Sequence, residues 1–267
     1  MKWLVFLAIL SFCAAAQAQL DRSKGGGVSA GSFSGRYVLQ SASPANLRWV
    51  SDPAGSSRTV LQAWLKDSEA KVYGGKRTEI VPSYEYVREG VRWYAMSFYF
   101  PASWQFHAYP TIVGQIHTSQ KTAVLSPPLA FMAQGDHLDL ELYANHLQPD
   151  VATGIPATRT NSARQLIRLD TIKKEQWYCF VIRADWSYRP GLGSLKVWMN
   201  GDRVYEGNNL YNAYETWLGN YPKAGLYSPG MMGVSERMLY LDFIHLGGER
   251  SGFDEMAAQT PCKGSAQ

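Results

Sequence analysis

The chain has 267 residues, with 26 Lys and Arg against 22 Asp and Glu, a formal charge of +4. Charged residues make up 18%, below the roughly 25% usual for soluble domains, and an apolar share of 46% excludes a disordered chain. So small a positive excess leaves no footprint for nucleic acid, and no apolar run of about 18 residues follows the first twenty, so no membrane-spanning helix is expected.

The chain opens with a positive Lys2, an apolar stretch from Trp3 to Ala16 and the small-x-small site Ala16-Gln17-Ala18. Residues 1–18 therefore read as a secretory signal peptide cut near Ala18. Phe12, before Cys13, argues against a lipoprotein, because a small residue is needed there. Two cysteines remain after cleavage, Cys179 and Cys262. In an oxidising compartment they are expected to form one disulfide, tying the C-terminal tail to an internal strand. Residues 19–35 hold the Gly/Ser-rich run SKGGGVSAGSFSG and read as a flexible leader. No second composition shift and no repeat follows, so residues 36–267 are expected to form a single domain.

Strand signals then recur along the chain. Val60 to Val72 is the one segment that reads as a short helix. Val91–Phe100 (VRWYAMSFYF) is aromatic and β-branched, Thr111–His117 (TIVGQIH) alternates, and His137–Tyr143 (HLDLELY) alternates strictly. Trp177–Arg183 (WYCFVIR) follows. Leu195–Met199 leads into Asn200-Gly201, a two-residue hairpin turn from which Arg203–Tyr205 returns, and Leu239–Leu246 closes the series. Many short strands separated by turns predict an all-β sandwich or barrel.

Three of the strands aim polar side chains one way, because residues i and i+2 of a strand share a face. In Lys76–Pro82 (KRTEIVP), Arg77 and Glu79 share one face, with Thr78 and Ile80 on the other. In TIVGQIH, Gln115 and His117 share a face while Ile112 and Ile116 are expected to enter a core. In Tyr221–Tyr227 (YPKAGLY), Tyr221, Lys223, Gly225 and Tyr227 share a face. Each polar set calls for a wet surface. If the three strands are neighbours, these groups converge on one groove; if not, they are three unrelated solvated faces.

The three segments resemble the signature of the jelly-roll polysaccharide lyases. That group includes alginate lyases with Arg-Thr-Glu, Gln-Ile-His and Tyr-x-Lys-Ala-Gly-x-Tyr segments, and the related glucuronan and heparin-lyase-I-like families. Here they stand in the same order as Arg77-Thr78-Glu79, Gln115-Ile116-His117 and Tyr221 to Tyr227. The aromatic strand ending at Pro101 and the KVWMNG before the hairpin are also similar to the heparin-lyase-I-like group. The likeness covers about residues 36–250. The chain departs from the alginate pattern at Val81, where a second Arg is usual, and at Pro229, where a Gln is. The resemblance implies a β-jelly roll, a concanavalin A-like sandwich of two antiparallel sheets with a concave substrate groove.

The reaction so implied is β-elimination at a uronic acid: a base removes the C5 proton and the C4–O bond breaks, leaving an unsaturated sugar. A proton next to an ionised carboxylate is very weakly acidic, so that carboxylate must first be neutralised. Arg77 offers a planar, permanently charged fork, and the Gln115 amide can donate to the same oxygens; one such donor is worth roughly 3–4 kcal/mol. His117, with an ordinary pKa of about 6.5, is the candidate base, and Tyr227, at about 10, the candidate acid for the departing oxygen. Lys223 is placed to assist Tyr227, Glu79 to orient Arg77 or Lys223, and Tyr221 to bind substrate. In related lyases a single Tyr serves as both base and acid. The scheme needs no metal and no cofactor. The expected partner is an acidic polysaccharide, with no nucleic acid and no membrane, acted on by an exported monomer. Trp64, Tyr84, Tyr86 and Trp104 are candidates to stack on sugar rings, with core or rim packing as the alternative for each.

Two rival readings stand beside this one. His137-Leu138-Asp139-Leu140-Glu141 resembles the Glu-x-Asp-x-Glu of laminarinase-like retaining hydrolases, with Asp139 and Glu141 as the carboxylates but His137 where that pattern has its nucleophile. The same residues could hold a metal. The other rival is a lectin-like binding module without turnover, which would have no use for an acid–base pair.

Overall fold

The computed structural model describes residues 37–83, 85–119, 125–144 and 163–262. The expected signal peptide, the leader and Tyr84 lie outside them. In chain order the strands are β1 (Tyr37–Ser41), β2 (Leu47–Ser51), β3 (Thr59–Lys66), β4 (Lys76–Pro82), β5 (Gly90–Tyr99), β6 (His107–Thr118), β7 (Leu129–Gly135), β8 (His137–Ala144), β9 (Ala163–Thr171), β10 (Trp177–Trp186), β11 (Gly193–Met199), β12 (Asp202–Leu210), β13 (Asn220–Ser228), β14 (Glu236–Leu241) and β15 (His245–Gly247). A single α-helical turn, α1 (Phe253–Ala257), follows.

Two antiparallel sheets pack face to face, as the all-β expectation required. One has seven strands in the order β1-β4-β13-β6-β7-β8-β9; the other runs β12-β11-β10-β5-β14-β3-β2, with β15 also paired to β5. Between them lies an apolar core. Leu39, Ile80, Val113, Ile116, Phe131 and Leu140 enter it from the first sheet, and Leu61, Tyr94, Phe98, Phe180, Ile182 and Leu239 from the second. Phe131 stacks on Phe180 at 3.9 Å between ring centroids, and Phe98 adjoins both, so aromatic contact joins the sheets at their middle.

Alternation carries most of this. On β8 the leucines 138, 140 and 142 enter the core, and Asp139, Glu141 and Tyr143 take the other face. The Asn200-Gly201 turn joins β11 to β12 with φ of 52° and 98°, the left-handed conformations that a two-residue hairpin requires and Asn and Gly tolerate. Cys179 on β10 is bonded to Cys262, with their Cα atoms 6.1 Å apart, which fastens the segment after α1 to the outer face of the eight-stranded sheet.

Three local expectations fail. Val60–Val72 holds no helix: β3 occupies its first part, and Leu61, Ala63 and Leu65 are fully buried at period two against β14. Pairing and burial override the helix preference of these residues. Leu239–Leu246 is two strands, β14 and β15, interrupted after Leu241. Ile112 does not enter the core with Ile116. The pairing of β6 with β7 shifts between Ile112 and Gly114, and such a bulge moves one residue of the strand to the opposite face. Val113 takes the core position, and Ile112 packs with Ala130, Met132 and Tyr227 on the outer face.

Candidate active site

The three polar segments are neighbours. β13 lies between β4 and β6, and all three turn the same face outward from the core. Register across the middle strand sets the partners: Tyr221 is opposite His117, Lys223 opposite Gln115, Gly225 opposite Glu79, and Tyr227 opposite Arg77. Strands β4 and β6 are two strand spacings apart, on the order of 9–10 Å, yet Gln115 Nε2 on β6 donates to Glu79 Oε1 on β4 at 2.5 Å. The bond spans β13 beside a residue with no side chain. A Cβ on Gly225 (φ +140°) would also sit 2.1 Å from the Thr78 carbonyl oxygen, so the position accepts only glycine.

Glu79 is the hub. Besides Gln115, it receives Arg77 Nη1 at 3.2 Å and faces Lys223 Nζ at 3.7 Å. Gln40 on β1, opposite Glu79 in register, accepts from Lys223 at 2.9 Å and from Arg77 at 3.4 Å. Gln40 was not expected in the site. Its signal was only the alternation of inward Leu39 with its neighbours, and the pairing that brings β1 beside β4 is not local. The expected wet surface is instead a buried floor: Arg77, Glu79, Gln115 and Lys223 are 5%, 2%, 1% and 2% exposed. Two cations and one carboxylate thus lie out of water together. Among the described residues Glu79 is the only carboxylate within ion-pair distance of either cation.

The groups that could exchange protons stand half-buried above this floor. Burial, then the charges of Lys223 and Arg77, push His117 down to about 3, against the pull of its hydrogen bond with the Thr118 carbonyl; the ring is neutral at neutral pH. Burial raises the phenols of Tyr221 and Tyr227, so both keep their protons. Burial also lowers Lys223, with Arg77 adding to the effect and Glu79 opposing it. The Arg77 guanidinium lies 4.3 Å from the Tyr227 ring, while Lys223 lies 5.7 Å from the ring of Tyr221. The cation beside Tyr227 is therefore Arg77, where Lys223 was expected. His117 has Tyr221 as its aromatic neighbour, at 5.6 Å between ring centroids, and Tyr86 also adjoins Tyr221, at 5.0 Å.

The remaining candidates fall elsewhere. Trp104 is 1% exposed in the core, and Trp64, on the opposite sheet, donates to Glu236; neither is on this face. Asp139 and Glu141 face the same way but on β8, two strands beyond β6. They pair with Arg168 (3.5 Å) and Arg164 on β9, and His137 with Asp136 (3.0 Å). Among the described residues no group of three or more His, Cys, Asp or Glu could hold a metal ion. A cavity of about 140 Å³ lined by Tyr143, Arg164, Trp186 and Asn212 includes none of the site residues.

An antiparallel sandwich with an amide, two cations, an imidazole and phenols on one sheet face is the architecture of a jelly-roll carbohydrate-active protein. Residues 26–245 match the model of the family described as polysaccharide lyase, and the chain belongs to that family. No curated protein sequence matches it. Among solved structures, it is similar to the endo-β-1,4-glucuronan lyase of the fungus Trichoderma reesei, with TM-score 0.60 and 18% identity over 76% of this chain and 86% of that one. It is also similar to alginate lyase A1-II′, a member of polysaccharide lyase family 7 (TM-score 0.50, 18% identity, 74% and 82% covered). The catalytic domain of a glycoside hydrolase family 131 protein from Coprinopsis cinerea matches as well (TM-score 0.52, 12% identity, 81% and 85% covered). At these identities the likeness establishes the jelly-roll fold, and the fold alone serves more than one chemistry.

Proposed function

We propose that the protein is an exported lyase that cleaves a 1,4-linked polyuronate, such as glucuronan or alginate, by β-elimination. One observation carries the reading. The site floor buries two cations against one carboxylate, and a buried charge without a partner is costly. A uronate carboxylate on this face supplies the missing negative charge. A neutral sugar does not, which separates this site from that of a neutral-glucan hydrolase.

Arg77 and Lys223 draw electron density from the substrate carboxylate through their charge, and the Gln115 amide has a second N–H to offer. His117, already neutral, takes the C5 proton. Tyr227, which keeps its proton and lies on Arg77, gives one to the departing O4. Glu79 does not react; it holds Arg77, Gln115 and Lys223 in place. Retained phenol protons and a neutral imidazole fit a separate base and acid. Acid–base pairing of this kind also has no purpose in a lectin-like module.

A second reading of the acid rests on register. Tyr221, not Tyr227, is opposite His117, and Tyr227 lies six residues further along β13, about 20 Å of extended strand. C5–H and O4 are on adjacent sugar carbons, so the phenol nearest His117 reaches the departing oxygen with the least displacement of base and acid. In this reading Tyr221 protonates O4 and Tyr227 positions Arg77.

The test is incubation with glucuronan, polymannuronate, polyguluronate, heparin and laminarin. Near-ultraviolet absorbance from the new double bond marks a lyase; reducing ends without it mark a hydrolase and end the proposal. Tyr221→Phe and Tyr227→Phe, compared on the cleaved polymer, identify the acid as the variant with the larger loss of kcat.

A further inference from the structure

At the edge of the site one side chain occupies a backbone position that disfavours it. Val72 and Gly75 exchange hydrogen bonds in both directions, Val72 N–H to Gly75 O at 2.8 Å and Gly75 N–H to Val72 O at 3.2 Å. The two residues between them, Tyr73 and Gly74, have φ of 47° and 82°. A two-residue turn with both central φ positive favours Asn, Asp or Gly, and an aromatic residue at positive φ is strained. Core packing does not explain Tyr73, because its side chain is 80% exposed, more than any other large hydrophobic among the described residues.

The turn is nevertheless fixed to the catalytic groups. The Tyr73 carbonyl accepts from Arg77 Nη2 at 3.2 Å. Gly75 lies so close to the Tyr227 ring that a Cβ there would come within 2.3 Å of it. The Tyr73 phenol is also among the groups that oppose ionisation of Tyr221, and the exposed ring projects from a turn that borders Arg77 and Tyr227. Strain retained at the rim of a site is a reason to look for function.

We infer that Tyr73 is a stacking platform for a pyranose ring of the bound polyuronate, forming a subsite next to the one that holds Arg77 and Tyr227. A tyrosine presents a flat apolar face and has only two side-chain torsions to order. A pyranose presents C–H groups on its faces and removes them from water against such a ring. The buried cations recognise charge, and Tyr73 would recognise the sugar ring between charges. This inference rests on the polyuronate reading of the site and adds a binding residue to it.

The experiment compares wild type, Tyr73→Asn and Tyr73→Phe, each carrying His117→Gln in the gel to suppress cleavage, by electrophoresis in native gels containing the polyuronates, which then reads binding. Asn suits the positive φ and removes the ring; Phe keeps the ring and the strain. Tyr73→Asn is expected to weaken retardation roughly tenfold in apparent affinity, while its Tm holds or rises by about 2–4 °C. Tyr73→Phe should bind within about twofold of wild type, since the ring and its apolar area remain. On the cleaved polymer, KM of Tyr73→Asn should rise with little change in kcat. Equal retardation of wild type and Tyr73→Asn overturns the inference, and so does a wild type that no polyuronate retards. A wild type that is retarded through Tyr73 yet releases no unsaturated product overturns the lyase reading and leaves the stacking subsite standing.

Discussion

Replacing Glu79 by Gln keeps the shape of the hub and deletes its charge. Glu79 is 2% exposed, between Arg77 at 5% and Lys223 at 2%, so the variant leaves two buried cations facing each other with no carboxylate in reach. Removing one partner of a buried ion pair costs about 3–5 kcal/mol. Gln can still accept one hydrogen bond from Arg77, which favours the lower end. For a domain of this size about 1 kcal/mol corresponds to 2–4 °C, so Tm should fall by about 6–12 °C at pH 7. The loss has a pH signature. Burial already lowers Lys223 in the folded protein, with Glu79 opposing that shift; without Glu79 it falls further. The unfolded chain then binds the proton more tightly than the folded one, so folding stability rises with pH up to the ordinary lysine value of about 10.4. The Tm deficit of Glu79→Gln should therefore shrink between pH 7 and about pH 9, and Glu79→Gln/Lys223→Met should recover most of it at pH 7. Thermal melts followed by circular dichroism read all three. A deficit below about 2 °C, or one that does not change with pH, would refute the charge-balance argument for the floor.

Three further outcomes are expected. His117, held down at about 3 in the folded chain against about 6.5 unfolded, contributes stability that is present above pH 6.5 and lost as pH falls toward 3. His117→Gln should lose less stability than wild type across that window, turnover should drop by roughly 10²–10⁴, and the wild-type kcat/KM profile should show no acidic limb centred near 6.5. Breaking the Cys179–Cys262 bond, 83 residues apart, as Cys179→Ala/Cys262→Ala should cost about 4 kcal/mol, read as a lower denaturation midpoint in urea; an unchanged midpoint refutes the tether. Asp139→Asn and Glu141→Gln should leave lyase turnover within about threefold of wild type, because both carboxylates already pair with Arg168 and Arg164; abolished cleavage in either would return the hydrolase reading.

What was legible in the sequence is what depends on alternation and turn chemistry. The segment KRTEIVP is β4 from end to end, and the faces read for it, for β8 and for β13 are the faces observed. The Asn-Gly hairpin follows because φ > 0 at two successive residues admits few side chains. Failures occur where pairing between distant segments decides. Helix-forming residues 60–66 become β3 because β14, about 175 residues away, offers a ladder and a buried face. Ile112 changes face through a bulge against β7, and one inserted residue is invisible to a period-two reading. Gln40 joins the site only because β1 pairs with β4.

The site was legible in a different sense. Its residue types could be read as a set, but their exposure could not. Polar residues at alternate positions imply a solvated face when each strand is taken alone. Arg77, Gln115 and Lys223 are buried around Glu79, which each of them bonds or faces, and that arrangement exists only when β13 lies between β4 and β6 with a glycine at 225. A larger residue at 225 would clash with the Thr78 carbonyl and obstruct the space through which Gln115 reaches Glu79. Tyr73 makes the converse point. The strain that singles out Tyr73 belongs to its φ and its exposure, which only the folded turn displays. A jelly roll of this kind also carries hydrolases, so the strand order does not choose the reaction. The excess positive charge held beneath a neutral imidazole is what favours the proposed elimination, and it is a property of how four side chains are buried together.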